Sequence, residues 1–482
     1  MYDFSVLEKW ALEKPNEIAF VDEYSEVTFS RMRADVLRIA SHLSQVGITR
    51  GDLVCTVLTP YFRWAFTLAI HLLGATAFSK NGITKFPAAI TPKWMITNRA
   101  HPQISAERTI MFSQELVSKI MACQELEVIP GYASPDDPAI LFGTSGTSGE
   151  TKYVMVTAGD LERFPIQKSP YDFIGEGHIM GLHTVASRQS FRRAIKGLTV
   201  GKPFFACESM DYRLPHIMRK YSIGTLMGSP LQVSLFLDVQ KQTGTLLPDL
   251  KVIIMSGSAP SAQIIARIKS ALNCRIFNAY GSTEGGNVTL AEVTDEIPSG
   301  SYINASVIVQ IVDENDQILP ADTLGYIRYT REGMVKGYYK NPEATAASFR
   351  NGFFYPGDIG LIDGDGKLVL GGRSNEVINL GGVKINPEKV DEVARAQLGV
   401  LDCAAFGLTD QTGVEQLALA LVTDKDFNLA IFQKTMEKKS AHLPKKYIQT
   451  DIIPRNENGK VLRGNLEELL KDAKGFGDSR DV

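Results

Sequence analysis

Residues 139–152 read Ala-Ile-Leu-Phe-Gly-Thr-Ser-Gly-Thr-Ser-Gly-Glu-Thr-Lys, an apolar stretch running into three glycines, five hydroxyl side chains and a closing lysine. Such a loop suits phosphate: glycines let backbone N–H groups point inward, hydroxyls donate hydrogen bonds and the lysine supplies charge. The candidates are Thr144, Ser145, Gly146, Thr147, Ser148, Gly149 and Lys152. It is not a Walker loop. Counted from Gly143, Ser148 and Gly149 stand where that motif needs Gly and Lys, and Tyr153 follows Lys152.

A second group lies at Asn278-Ala-Tyr-Gly-Ser-Thr-Glu284, which sets an amide, an aromatic face, hydroxyls and a carboxylate within one short stretch after the apolar Arg275-Ile-Phe277. An amide and an aromatic ring can hold a purine, and Thr283 with Glu284 offers oxygen ligands for Mg2+. Tyr355-Pro-Gly-Asp358 places a carboxylate after a tight turn, suited to accept two ribose hydroxyls; alone it reads as a β-turn aspartate. No H-E-x-x-H, no Cys/His cluster at metal-ligand spacing and no Ser elbow with a partner histidine is present. Gly175-Glu-Gly177 has Met180 where a dinucleotide fingerprint needs glycine.

The elements that must position these groups follow from periodicity. Continuous apolar runs at Leu53–Leu58, Ile110–Phe112, Ala139–Phe142, Pro203–Ala206, Thr225–Met227, Val252–Met255 and Arg275–Phe277, most separated by helical segments, predict parallel sheets with helical cover. Before them, a helix, a hairpin around Asp22–Glu26 and a second helix are expected. After Glu292 short alternating strands (Ser306–Val312, Gly325–Tyr329, Lys367–Leu370) predict a β-rich unit. A glycine-rich stretch then gives way to α/β alternation, which sets a domain boundary near Arg373–Asn375.

Composition narrows the function. Lys and Arg total 51 against 54 Asp and Glu, a formal charge of −3, so no basic excess exists to neutralise nucleic-acid phosphates. The five cysteines are scattered, without a C-x-x-C pair, and read as reduced core thiols of a cytoplasmic protein. The start of the chain lacks the basic and apolar regions of a secretory signal. The most apolar stretch, Trp64–Phe78, carries His71 and is too short for a membrane span, which takes about 20 residues. It predicts a buried helix.

Seven segments occur in order: TSGTSGETK (144–152), SGSAP (256–260), NAYGSTE (278–284), GYYKNPEAT (337–345), YPGD (355–358), GGRSNEVINLGGVKINPEKVDEV (371–393) and PRNENGKVLR (454–463). Together they resemble the adenylate-forming superfamily of acyl-CoA synthetases, carrier-protein adenylation domains and luciferases, over nearly the whole chain. The resemblance implies an α/β fold: a large N-terminal core, residues 1–373, of parallel and mixed sheets with helical cover plus a β-rich subdomain, and a small mobile α+β C-terminal domain, residues 374–482. It implies activation of a small carboxylic acid with ATP and Mg2+, release of pyrophosphate, and transfer of the acyl group to the thiol of CoA or of a carrier protein's phosphopantetheine.

Residue by residue, the 144–152 loop would hold the β- and γ-phosphates, Thr283 would contact the α-phosphate and Glu284 would bind Mg2+. Asn278, Ala279, Tyr280, Gly281 and Ser282, with the Gly257-Ser258-Ala259 turn, would enclose adenine, and Asp358 with Arg373 would hold the ribose. Lys460 matches the family's catalytic lysine, and Asn375 sits at its hinge, where Asp is common. Rotation there would present the Gly381-Gly382 loop to the thiol. His183 would be an aromatic gate at the carboxylate; a histidine satisfied in the core is the alternative. Thr151 and Tyr153 depart from the family's Pro and Gly around the loop lysine, and Pro356 replaces a Thr. No Phe-Asp pair lies around 181–190, which disfavours an α-amino acid. Arg188, Arg192 and Arg193 could meet a second substrate carboxylate or the phosphate of CoA, but on a predicted helix they read as a solvated face. A non-catalytic binding protein on the same fold would be expected to have lost Lys460 or Glu284, and both are present; an amine or oxygen acceptor is the other alternative.

Overall fold

The computed structural model of the protein describes residues 2–79, 90–99, 106–144, 151–164, 177–294, 298, 300–380, 383–409, 415–440, 442–455, 460–466 and 474–475. The predicted site residues Ser145, Gly146, Thr147, Ser148 and Gly149, and the Gly381-Gly382 pair, lie outside these.

Among the described residues the chain builds two large sheets of mainly parallel strands. The first has the order Gly286–Val293, Arg275–Ser282, Val252–Ser256, Ile223–Gly228, His178–Gly181, Phe204–Phe205, Ile18–Val21, Glu26–Thr28, antiparallel only at its two outer pairs. The continuous apolar run of Val252–Ser256 is explained by cover on both faces: Ile253 and Met255 join one buried cluster, Val252 and Ile254 another. The second sheet runs Arg108–Met111, Trp94–Thr97, Leu53–Val57, Thr76–Ser79, Pro138–Thr144, Lys152–Thr157. Its last pair is an antiparallel hairpin with Thr144 opposite Lys152, which brings the two ends of the phosphate-type loop side by side.

Pro60–Leu72 is a helix with Pro at its first turn, buried on almost every side; the helix expected over Trp64–Phe78 is thus met only to Leu72, and Thr76–Ser79 is a strand. No helix among the described residues is long and apolar enough to cross a membrane. From Ser301 to Arg373 the chain forms an antiparallel sheet around Val288, Ile311, Ile327, Tyr329 and Phe354. Beyond it come the hairpin Ile378–Leu380/Val383–Ile385, the helix Pro387–Arg395, long strands Val400–Thr409 and Glu415–Thr423, the helix Leu429–Lys439 and the strand Lys446–Gln449. The hydrophobic clusters built from residues 378–466 share no member with those built from residues 4–368.

Sequence periodicity missed the strands Trp94–Thr97 and Lys152–Thr157. The second was read as the end of a loop because Lys152, a polar residue, opens it. Cys123 and Cys274 are half-buried rather than core thiols, while Cys55, Cys207 and Cys403 are buried; none of the five is in a disulfide.

Candidate functional site

Neighbouring parallel strands release their carboxyl ends toward one side of the first sheet. His178–Gly181 leads to His183, Ile223–Gly228 carries Met227, Val252–Ser256 leads to Gly257, and Arg275–Ser282 leads to Glu284. A crevice outside the carboxyl ends of parallel strands is where open α/β sheets bind ligands. Here it is a cavity of about 1510 Å3, and every predicted site residue within the described chain lines it, from Thr144 and Lys152 through His183, the Gly257–Ala259 turn and Asn278–Glu284 to Asp358, Arg373 and Lys460.

Local backbone explains two glycines. Gly257 has φ of +94°, which side-chain-bearing residues rarely adopt. Gly281 lies where a bulge interrupts the pairing of Arg275–Ser282 with Gly286–Val293, and a Cβ there would sit 2.2 Å from the Gly286 carbonyl oxygen.

One end of the cavity is a carboxylate held by two donors. Asp358 and Arg373 face each other across antiparallel strands, and Arg373 Nε lies 2.9 Å from Asp358 Oδ1. The Tyr280 hydroxyl donates to Asp358 Oδ2 at 2.6 Å. Burial raises the Asp358 pKa, and Arg373 and Tyr280 oppose that rise. Tyr280 stays protonated, because burial and the adjacent carboxylate both raise its own pKa. The sequence assigned Tyr280 to a base; the structure adds that its hydroxyl orients Asp358.

A second group forms around Glu284, a buried carboxylate that accepts a 2.8 Å hydrogen bond from the Tyr338 hydroxyl. Lys152 Nζ stands 5.1 Å from the centre of the Tyr338 ring, so one aromatic side chain touches both the loop lysine and the acid. Tyr338 is fixed by a bridge to Val154, and the next residue, Tyr339, donates its N–H to the Tyr153 carbonyl. Sequence reasoning quoted Tyr338 in a motif but gave it no role. Among the described residues no three His, Cys, Asp or Glu gather as a metal cage.

The helix Arg188–Thr199 corrects an expectation. Arg188, Arg192 and Arg193 do not form a solvated face: Arg188 is buried and all three line the cavity. Arg188 donates to the carbonyl oxygens of Thr283 (2.9 Å), Glu284 (3.4 Å) and Gly333 (3.2 Å), clamping the segment that carries Glu284. Burial and Arg192 push its guanidinium down to about 9, still protonated at neutral pH. Helical spacing alone could not say which face turned inward. The missed signal was charge: residues 177–204 hold Arg and Lys but no Asp or Glu. Arg188→Met should lower unfolding stability by about 3 kcal/mol, because it strands buried carbonyls. Urea unfolding of the variant measures this.

His183 is squeezed between these elements. Its Nε2 lies 3.5 Å from Ser256 Oγ, and burial, then Arg193, lower its pKa to about 4, so it is neutral at pH 7. Lys460 completes the site from the far end of the sequence: its Nζ stands 3.7 Å from Glu376 Oε1, and Arg463 holds the other Glu376 oxygen at 3.1 Å. Arg463 also bonds Asp391 at 2.6 Å. Burial, then Arg373, lower the Lys460 pKa, while Glu376, Glu388 and Asp358 partly restore it.

This arrangement meets known proteins at the level of family and fold. The 4-chlorobenzoate–CoA ligase of an Arthrobacter species is 25% identical over 95% of this chain and 94% of its own. The 2-succinylbenzoate–CoA ligase of Geobacillus sp. (strain WCH70) is 24% identical over 96% and 97%. The solved structure of ATP-bound MatB from Rhodopseudomonas palustris superposes with a TM-score of 0.83 at 21% identity, covering 98% of this chain and 99% of that one. A family model described as "AMP-binding enzyme" matches residues 7–339, well over half of the sequence, and the chain therefore belongs to the AMP-binding enzyme family.

Proposed function

We propose that this protein activates a carboxylic acid with ATP, releasing pyrophosphate and forming an acyl- or aryl-adenylate, and then passes the acyl group to a thiol, that of CoA or of a carrier protein's phosphopantetheine. What carries the reading is the meeting in one cavity of Asp358 with Tyr280 and Arg373, Glu284 with Tyr338 and Lys152, and Lys460. The two relatives are both named as CoA ligases, one for an acid with a single carboxylate and one for an acid with two.

In this reading Asp358 accepts the ribose hydroxyls, and its two donors hold it in place and favour its ionised form against the effect of burial. Asn278, Tyr280 and the Gly257–Ala259 turn flank the adenine, and Thr144 and Lys152, with residues 145–149, hold the outer phosphates. Glu284 would hold Mg2+, whose bound charge would offset that of the phosphates; a single carboxylate suits an ion that keeps waters and phosphate oxygens as its other ligands. Thr283 contacts the α-phosphate. Lys460 bridges the attacking carboxylate and the α-phosphate oxygens, stabilising negative charge where it develops. His183, neutral, closes the wall beside the acid without adding charge. Residues 374–482 act as a lid on the core of residues 1–373, turning near Asn375 to exchange Lys460 for the thiol channel.

The test is acid-dependent pyrophosphate release from ATP, with hydroxylamine trapping the adenylate, across short, medium, long-chain, aryl and amino acids. Release with one acid class is expected, followed by thioester formation when CoA or a carrier protein is added. Silence with every class would sink the proposal, and an adenylate transferred only to an amine or alcohol would replace its second step.

A further inference from the structure

At the end of the cavity lined by Lys152 and Glu284 the two large sheets are joined by one short segment. Val335 N–H donates to the Glu284 carbonyl at 3.3 Å, just past the carboxyl end of Arg275–Ser282 in the first sheet. A few residues on, Tyr338 bridges antiparallel to Val154 and Tyr339 N–H donates to the Tyr153 carbonyl at 2.7 Å, both in the edge strand Lys152–Thr157 of the second sheet. Residues 335–339 are thus a strap pinned at its two ends to different sheets, and the pins are main-chain bonds.

Tyr338 has little freedom in this strap. Its N–H donates to Thr345 Oγ1 at 2.9 Å, its carbonyl accepts from Asn341 N–H at 3.3 Å, and its ring meets that of Phe349 at 5.5 Å and 74°. A ring seated in this way offers its hydroxyl and its face at set positions. The hydroxyl donates to Glu284 Oε1 at 2.8 Å, with the Ser348 side chain also at that hydroxyl, and the face lies 5.1 Å from Lys152 Nζ.

The main chain of Glu284 is already held without the tyrosine hydroxyl, since Val335 N–H and Arg188 both donate to its carbonyl. What the hydroxyl adds is the orientation of the carboxylate. One hydrogen bond takes one of about four lone-pair positions on the two oxygens, so the group keeps acceptor capacity for a cation. Carboxylates that bind metals are oriented by such outer hydrogen bonds, and losing one typically costs about 10–100-fold in metal affinity or activity.

We propose that Tyr338 is a positioning residue that fixes the metal-binding carboxylate Glu284 and the phosphate-binding Lys152 relative to each other through one rigid ring, so that Mg2+ and the outer phosphates of the nucleotide are received together. This rests on the ATP and Mg2+ reading above, and the experiment separates the two.

ATP binding would be measured by calorimetry with no acid present, so that nothing turns over, first in EDTA and then across a Mg2+ titration, in the wild type, Tyr338→Phe and Tyr338→Leu. In Tyr338→Phe, which keeps the ring beside Lys152, the Kd for ATP in EDTA should stay at the wild-type value while the Mg2+ concentration that gives half of the tightening rises about 10-fold. In Tyr338→Leu the Kd in EDTA should rise too, by about 3-fold, because the lysine loses its aromatic platform. Thr345→Val removes the acceptor for the Tyr338 N–H and leaves the hydroxyl in place; it should raise the Mg2+ requirement in the same direction, and it carries the test should Tyr338→Phe not fold. Equal weakening with and without Mg2+ would make Tyr338 a residue of the fold alone and overturn the inference. An unchanged Mg2+ requirement overturns it as well, and so does a lower one, which would make the hydroxyl a competitor of the metal. A wild type that binds ATP without any response to Mg2+ overturns the metal assignment of Glu284 and this inference with it, leaving nucleotide binding standing; no ATP binding at all overturns the proposed function too.

Discussion

Lys460→Ala is expected to slow adenylate formation by about 10²–10³-fold while leaving ATP binding nearly intact. Removing one well-placed charge from a developing oxyanion costs about that much when the site is shielded from water, and the lysine's role falls in the transition state more than in the ground state. Acid-dependent hydroxamate formation under ATP saturation measures it; an unchanged rate would remove Lys460 from the chemistry. The wild-type enzyme carries a pH signature of the same group. Burial and Arg373 lower the pKa of Lys460. The working form is the cation, present below that pKa and lost above it. The first half-reaction should therefore fall as pH rises through a value beneath the ordinary lysine range. In Lys460→Arg, whose guanidinium does not deprotonate, any remaining rate should lose that alkaline limb.

Asp358→Ala should raise the KM for ATP by about 100-fold and lower the melting temperature as well. Two effects add. The ribose loses its acceptor, and two half-buried donors lose theirs: Arg373 at 2.9 Å and the Tyr280 hydroxyl at 2.6 Å. The stability loss should stay below the roughly 3–5 kcal/mol of a fully buried pair, since Arg373 keeps contact with water and donates to the Pro356 carbonyl. Asp358→Asn separates the contributions: it keeps an oxygen for Tyr280 and removes the charge that opposes Arg373. A KM for ATP unmoved by both variants would take Asp358 out of the nucleotide site.

Much of this site was readable before any fold was known, for a physical reason. Groups that handle phosphate and ribose sit on short turns after strands, so their residue types cluster in sequence, as in 144–152, 278–284 and 355–358. The parallel strands were readable too, because burial on both faces leaves runs such as Val252–Met255 without polar interruption. What escaped were relations between distant segments. Nothing in the local sequence says that Tyr338 would reach Glu284 or that Arg188 would turn toward Thr283; the first contact exists because Tyr338 bridges to Val154 of the second sheet, the second because separate strands of the first sheet end on one side. The inward arginine face was misread for the same reason, since an amphipathic pattern gives a helix two faces but not the direction of the cavity.

The carboxylates around Lys460 have a consequence for ionic strength. Lys460 and Arg463 share Glu376, and Arg463 also holds Asp391, so the two cations are paired within a group lying wholly beyond Arg373 in the chain, with the Glu388 carboxyl close by. If residues 374–482 turn as a lid, the lysine does not leave an anionic nucleotide as a bare ion; it departs with its counter-charges beside it. Interactions between distant charges are damped by salt over about 8–10 Å, but charges already paired at short range present less for the salt to damp. The balance between open and closed forms should then change little from low to moderate salt, so that the same working cycle would run across a wide range of ionic strength.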